Sequence, residues 1–525
     1  MKENWNIRNH QTKDIISSIL KSRDIKDVDK YVRPTLDKCK NPLLLSGSRK
    51  AARKILKSIQ DKEKITIFGH DDVDGVTSTV LLFDFLSKLG ANNISYYIPN
   101  RAYEKFGLSR QFIQRVLQDK TKRVITVDIG ITEFESIAYL RKRGIKTIIL
   151  DHHQTAKEYP QASAIVDPHK KNDRFPFKYL AGVGVVVNVV KILSLMTGIQ
   201  TEPLYLLLTG LGTIADRMPL IDDNRIYSKY LYSHLEQSQH PFFIFYRKKT
   251  SKLSKEKAVQ NLILLLTQGR DIKGKHLGVD IFIEKKEAEI SNIYSTLEER
   301  FRENREQTAK IIDLIESEYK KDKSLIFIYY DVKGLIPATK IGIATSYITD
   351  TYNIPSLVLT QVIDGLLAAE TRAPSGFNWL EYLKKIEHLL IQYGGHKEAA
   401  GFTCFPRNFD EINNQLKSLF EAQQKKILNI QRESKKIIID YVLDEEQCEI
   451  NTLIEINKAL EPFGPGNPPV QYMMIHIDPQ DLKKKGFVNV PEISDGDSVN
   501  IVFSILGKKF TIIDYETTEK QCSVN

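Results

Sequence analysis

Lys64 to Gly75 reads KITIFGHDDVDG, and the fold is decided there. KITIF is a short apolar run rich in β-branched and aromatic residues, which reads as a buried strand, and the segment after it continues as a helix through Leu82 and Leu89. An H-x-D-x-D run leaving a strand sends alternate side chains, His70, Asp72 and Asp74, toward one side, and Gly75 permits a tight turn into the helix.

The same alternation repeats outward to about Pro219, with strands at SYYIP, VITVD, KTIILDHH and AIVDP between helical segments, the signature of a parallel α/β sheet. Three of these strands run directly into chemistry-bearing residues: His70 to Asp74, Asp128, and Asp151 to His153. Open α/β sheets bind their ligands at the carboxyl ends of strands. A further acid, Asp216, stands in TIADRMPL.

Residues 1–63 read as an N-terminal helical accessory segment and 64–283 as the catalytic α/β domain. In 284–322, Ile290, Ile293, Leu297, Phe301, Ile312, Ile315 and Tyr319 recur at three- and four-residue steps through charged sequence, which predicts a long connecting helix. A second α/β lobe follows over 323–430, with strands near SLIFIYY and PSLVLT, closing on the glycine-rich GGHKEAAGFT. Residues 436–525 are strand-rich and fit a small oligonucleotide-binding type β-barrel. The fold class is α/β, two lobes joined by a helix, with a C-terminal barrel.

At 525 residues the chain has room for several domains, and 42% hydrophobic with 27% charged residues is ordinary globular composition. The longest apolar stretch, Val183 to Met196, is interrupted by Asn188 and Lys191, and the first residues lack a secretory apolar core, so the expectation is a cytoplasmic protein with no membrane contact. Cys39, Cys404, Cys448 and Cys522 form no CxxC pair, which argues against a disulfide framework or a zinc knuckle. The net charge of +10 is concentrated between Tyr246 and Lys275, either a solvated face or a phosphate-backbone surface. Gly269 to Lys275, GRDIKGK, mimics a P-loop, but His276 stands where that motif needs Ser or Thr. Asp71 reads as a turn residue facing solvent.

Mixed carboxylates and imidazoles suit manganese or magnesium, with the imidazoles favouring manganese. Two such ions about 3.5–4 Å apart activate water and stabilise both the attacking and the leaving oxygen of a phosphoryl displacement. Any one of these motifs is common; their joint occurrence, in order and at strand ends, points to phosphoester hydrolysis.

DHH at Asp151 to His153, preceded by D-x-D and VD-x-G-IT, resembles the DHH phosphoesterases. IPNR ending at Arg101, LAGVGV at Leu180 to Val185, GTIADRMPL with Asn224 and Arg225, GGHKEAAG at Gly394 to Gly401 and LEPFGPGNPP at Leu460 to Pro469 resemble the RecJ-type exonucleases over nearly the whole chain. That resemblance implies a DHH domain, a long helix, a DHH-associated domain and an oligonucleotide-binding barrel. It implies two ions, Mn2+ or Mg2+: one held by His70, Asp72 and Asp128, the other by Asp74, Asp128, His152 and Asp216. It implies that Asp151 orients a histidine, that His153 and His396 touch the scissile phosphate near Gly394 and Gly395, and that Arg101 and Arg372 grip phosphates near the 5′ end.

The implied activity is 5′-to-3′ hydrolysis of single-stranded DNA, with RNA as an alternative, to mononucleotides in repair or recombination, by a strand threaded between the lobes. The implied protein is a monomer working beside a single-strand-binding protein or a helicase. Tyr472 and Phe503 are either base-stacking or core residues. The family's S-x-R-S is here Glu370, Thr371, Arg372 and Ala373, and a carboxylate at Glu370 predicts a weakened dependence on a 5′ phosphate. Two rival readings are a hydrolase of short oligonucleotides or small nucleotides, which would not need so large a chain, and a non-catalytic replication scaffold, which would not need every ligand.

Overall fold

Strand Ile65–Gly69 is buried along its whole length because it lies inside a five-stranded, all-parallel sheet. The computed structural model describes all residues except 1, 3, 9–11, 13, 101–102, 105–106, 156–157, 322–323, 363–364, 435, 445–448, 493–497 and 519–525. It divides into two units, Arg8–Phe301 with Asp440–Asn525, and Met1–Ile7 with Arg302–Ile439.

In the first unit the sheet order is Ile94–Tyr97, Ile65–Gly69, Arg123–Val127, Lys146–Leu150, Ala164–Val166. The chain reverses direction of travel between Ile65–Gly69 and Arg123–Val127, so a crevice opens at the carboxyl ends of those two strands. Helices Val73–Lys88, Gly182–Thr197 and Pro203–Ala215 pack together on the sheet; each is apolar nearly all round because each is buried nearly all round.

The N-terminal segment serves two cores. Helix Ser48–Gln60 covers Gly182–Thr197 and Ala164–Val166, whereas Ile15, Ile19, Leu20 and Tyr31 join the core of a four-stranded C-terminal sheet. That sheet runs Tyr441–Val442, Gln471–Ile477, Ser498–Leu506, Lys509–Thr518, and among the described residues its two outer strands do not pair with each other. Tyr472 and Phe503 are fully buried in it with ring centroids 5.5 Å apart, which makes them core residues.

Arg225 ties these parts together. Its buried guanidinium lies 3.8 Å from the centre of the Tyr31 ring and donates to the carbonyls of Tyr31 (2.8 Å), Ala459 (3.2 Å), Leu460 (3.1 Å) and Glu461 (2.9 Å). The Leu220 amide donates to the Pro465 carbonyl at 2.7 Å, so the LEPFGPGNPP turn abuts the loop that follows Asp216.

The second unit has a five-stranded sheet in the order Leu390–Gly395, Ala399–Cys404, Leu367–Arg372, Ser356–Gln361, Phe327–Asp331, antiparallel except for the last pair. Leu357 and Leu359 face one core and Val358 the other, the period of two expected of a sheet covered on both faces. Helix Glu287–Lys321, 35 residues long, gives Ile290, Tyr294 and Leu297 to the core of the first unit and Ile311, Ile315 and Tyr319 to that of the second. Among the described residues no helix is long and apolar enough to cross a membrane.

Candidate metal centre

His70, Asp72 and Asp74 leave the first strand at the crevice. Asp72 caps helix Val73–Lys88, its Oδ1 accepting the Gly75 amide at 2.9 Å, and its Oδ2 lies 2.8 Å from His70 Nδ1. The turn is tight enough that a Cβ at Gly75 would stand 2.3 Å from the His70 carbonyl oxygen, so only glycine fits. Asp74 is fully buried, and its carboxylate sits at the N-terminus of helix Gly182–Thr197, accepting the amides of Gly182 at 2.6 Å and Val183 at 2.9 Å. Each oxygen keeps a further lone pair.

Asp128 ends the third strand in a left-handed backbone conformation, φ 60°, which an aspartate tolerates better than most residues. Its Oδ1 is 3.0 Å from His152 Nε2 and its Oδ2 3.7 Å from His70 Nδ1, which puts it between the two imidazoles. A Cβ at Gly182 would meet the Asp128 side chain at 2.6 Å, which explains the glycine in LAGVGV. His152 Nε2 also lies 3.5 Å from Asp216 Oδ2 and 3.9 Å from Asp74 Oδ2.

Three sets of ligand atoms each fall within 4.8 Å of one another: His70 with Asp72 and Asp128; Asp74 with His152 and Asp216; Asp128 with His152 and His153. Buried Asp128 Oδ2, Asp216 Oδ2 and His152 Nε2 have no hydrogen-bond partner among the described residues. Orphaned oxygen and imidazole donors converging on one point fit hard to borderline divalent cations.

The electrostatics agree. Burial, then Asp216 and Asp72, hold the Asp74 carboxyl well above the usual carboxylate range; burial, then Asp74, Asp72 and Asp216, do the same to Asp128. Burial and Asp72 push Asp216 up to about 7. Asp72 goes the other way, since its bond to His70 outweighs the burial that would raise it. Without counter-charge, these buried acids resist ionising together.

Asp151 belongs to none of the three sets. Its Oδ1 lies 2.7 Å from His153 Nδ1, and its Oδ2 accepts the Ile131 amide at 2.9 Å. Burial raises the Asp151 pKa, but the His153 bond outweighs it and brings it down to about 2. The same bond lifts His153 to about 9. His153 is therefore a half-exposed imidazolium near neutral pH, chemistry that suits a phosphate oxygen better than a metal. Burial first, then the charge of His153, depress His152 to about 4, leaving it neutral and able to ligate.

Asp71 departs from its expected place. It is 1% exposed rather than solvent-facing, and Arg270 Nε donates to its Oδ2 at 2.8 Å. The P-loop mimic is thus a structural loop against the end of strand Ile94–Tyr97: Arg270 bridges to His276, and the Ile98 amide donates to the Gly274 carbonyl at 3.0 Å. Sequence reasoning missed Arg270 because its partner is 199 residues away.

The remaining expected residues fall in the unit Arg302–Ile439, apart from Arg101, which lies outside the described residues. Gly394 and Gly395 end strand Leu390–Gly395, Gly395 with φ 130°, and exposed His396 turns the hairpin, its amide donating to the Ala399 carbonyl at 2.8 Å. Glu370 and Arg372 share one face of strand Leu367–Arg372 because they are two residues apart, and Glu370 Oε2 pairs with Arg372 at 3.0 Å in a pocket lined by Gly342, Ser346 and Tyr347.

Residues 64–212 match the DHH family, N-terminal domain. The chain is 28% identical over 85% of its length to the single-stranded-DNA-specific exonuclease RecJ of Bacillus subtilis, of which it spans 56%. It is 25% identical over 88% of its length to the RecJ of Haemophilus influenzae, covering 83% of that protein. The crystal structure of RecJ in complex with Mn2+ from Thermus thermophilus superposes with a TM-score of 0.77 over 99% of this chain and 80% of that one, at 19% identity.

Proposed function

The chain carries the N-terminal domain of the DHH family and is RecJ-like along most of its length, and from that premise we propose that it is a metal-dependent exonuclease that degrades single-stranded DNA from the 5′ end to mononucleotides. The observation that carries the reading is the convergence of His70, Asp72, Asp74, Asp128, His152 and Asp216 from four separate segments, with unpartnered buried atoms aimed at the same place.

In this reading His70, Asp72 and Asp128 would hold one divalent ion and Asp74, Asp128, His152 and Asp216 a second; manganese or magnesium would fit the donors. Bound there, such ions activate water and offset the charge of phosphodiester cleavage. The protein's own groups do the rest. Asp74 is anchored by two amides, so its ligand geometry is set before any ion arrives. Asp151 keeps His153 protonated and oriented, and His153 donates to a phosphate oxygen.

His396, on the Gly394–Gly395 turn, is assigned a second contact to the scissile phosphate, and Arg101 and Arg372 the phosphates near the 5′ end; the resemblance supports these roles. Glu370 already occupies one edge of the Arg372 fork, which supports weakened dependence on a 5′ phosphate. The protein is assigned to the cytoplasm, as a monomer acting in repair or recombination beside a single-strand-binding protein or a helicase, with RNA as an alternative substrate.

The test incubates the protein and its Asp72→Ala and Asp128→Ala variants with Mn2+ or Mg2+ and end-labelled single strands, duplexes and dinucleotides. Mononucleotide release from the 5′ end of long single strands, lost in both variants, is expected. Cleavage confined to dinucleotides, or DNA binding without cleavage, refutes it in favour of a short-oligonucleotide hydrolase or a scaffold.

A further inference from the structure

A second aspartate–histidine pair, Asp167 and His169, stands beside Asp151 and His153. Strand Ala164–Val166 lies next to Lys146–Leu150 with Val166 opposite Leu150, and the Asp151 amide donates to the Val166 carbonyl at 3.0 Å. Both strands run directly into an aspartate two residues ahead of a histidine, Asp151-His152-His153 and Asp167-Pro168-His169. In each pair the aspartate Oδ1 accepts the backbone amide of the histidine, at 3.2 Å for His153 and 2.7 Å for His169. The same oxygen lies 2.7 Å and 3.6 Å, respectively, from the ring Nδ1.

Pro168 occupies the place of the candidate ligand His152, so the second copy keeps the aspartate–histidine spacing and the amide bond but drops the metal donor, and its ring Nδ1 makes no hydrogen bond among the described residues. The two turns also touch: Thr155 Oγ1 donates to the His169 carbonyl at 3.4 Å. A role as a turn cap accounts for the Asp167 side chain and the amide bond. It does not account for an imidazole in this position, nor for a fully buried carboxylate whose Oδ2 has no hydrogen-bond partner among the described residues.

We propose that His169, whose backbone amide Asp167 holds, binds the backbone phosphate next to the one that His153 faces, so that the sheet edge offers two histidines to two successive phosphates of a nucleic-acid strand. This rests on the nuclease reading of the first pair. Neighbouring strands are about 4.8 Å apart, so His169 stands one strand farther along the sheet edge than His153 and reaches the flanking phosphodiester rather than the scissile one. Its Nε2, the ring nitrogen that does not face Asp167, is the donor to a non-bridging oxygen.

The experiment compares wild type, His169→Ala, His169→Gln and Asp167→Asn in Mn2+ on a dinucleotide with one phosphodiester and on a trinucleotide and a 20-mer with more. His169→Ala raises KM about 10-fold on the longer substrates, with kcat within about twofold and the dinucleotide unaffected. His169→Gln, which keeps a neutral donor, recovers part of the loss, and Asp167→Asn shows a weaker version of it. Equal KM for wild type and His169→Ala on the 20-mer, or a kcat loss shared by all substrates, overturns the inference while leaving the nuclease reading intact. If the wild type cleaves nothing, the nuclease reading falls and binding decides instead: trinucleotide affinity unchanged in His169→Ala, relative to the dinucleotide, overturns this inference too.

Discussion

Stripping and restoring the divalent ion as a function of pH tests the centre most directly, because its carboxylates are mutually repelling and buried. In the metal-free protein Asp216 titrates at about 7 against an ordinary value of 3.8. A carboxyl raised in the folded state contributes stability that is present at low pH and lost as pH rises through the folded value; here that is at most about 4 kcal/mol, lost between about pH 4 and pH 7. A cation must displace the same proton. Competition at Asp216 alone weakens binding about 33-fold at pH 5.5 and about 1.3-fold at pH 7.5, so the dissociation constant for Mn2+ falls about 25-fold over that interval. Asp74 and Asp128, held well above the usual range, each add up to about tenfold per pH unit. The assay is Mn2+ titration of chelator-treated protein by calorimetry at pH 5.5, 6.5 and 7.5, in two buffers of different ionisation enthalpy, with melting curves alongside. Expected are a slope of log affinity on pH between about 0.7 and about 3, release of about one to three protons at pH 6.5, and a larger metal-induced rise in Tm at pH 7.5 than at pH 5.5. A dissociation constant flat to within about threefold across the range, with no proton release, refutes the reasoning.

Asp151→Asn removes the carboxylate charge behind the bond that lifts His153 to about 9, so the alkaline limb of the pH–rate profile, set in the wild type by loss of the His153 proton near that value, moves down by one pH unit or more and kcat at pH 8 falls. Arg225→Met removes the guanidinium's bonds to the carbonyls of Tyr31, Ala459, Leu460 and Glu461, of which Ala459 keeps Lys229 and Leu460 keeps Asn467, and costs about 3 kcal/mol, read as a lower urea midpoint and faster amide exchange around those residues. Glu370→Ser frees Arg372 and raises the ratio of activity on 5′-phosphorylated over 5′-hydroxyl strands by about tenfold; an unchanged ratio counts against Glu370 as the discriminating residue.

The parallel sheet and its ligands were legible because they are local. Each strand is a short β-branched run, and the candidate ligands other than Asp216, which ends helix Pro203–Ala215, follow the carboxyl ends of strands, so periodicity together with residue type suffices to place them. The long helix was legible for the same reason, from its apolar spacing alone. Asp71 was misread because a turn residue in sequence is turned inward by a loop far along the chain, and nothing near GHDDVDG announces Arg270. LAGVGV and LEPFGPGNPP could be matched as motifs but not explained, since what they do is approach Asp128 and the Asp216 loop closely.

The sequence by itself therefore determined the fold class, the order of the strands along the chain, and which acids and histidines stand at their ends, since these follow from backbone periodicity and side-chain chemistry over a few residues. Only the tertiary structure decided which of those groups share a site and in what charge state. Burial and neighbours brought from other segments raise the pKa of Asp74 and Asp128, whereas the bond to His70 lowers that of Asp72 against its burial. His152 and His153, adjacent in the chain, diverge to about 4 and about 9 because one is buried and the other bonds Asp151. Coulomb energy and desolvation depend on distance through space, and strand order, not sequence order, sets that distance.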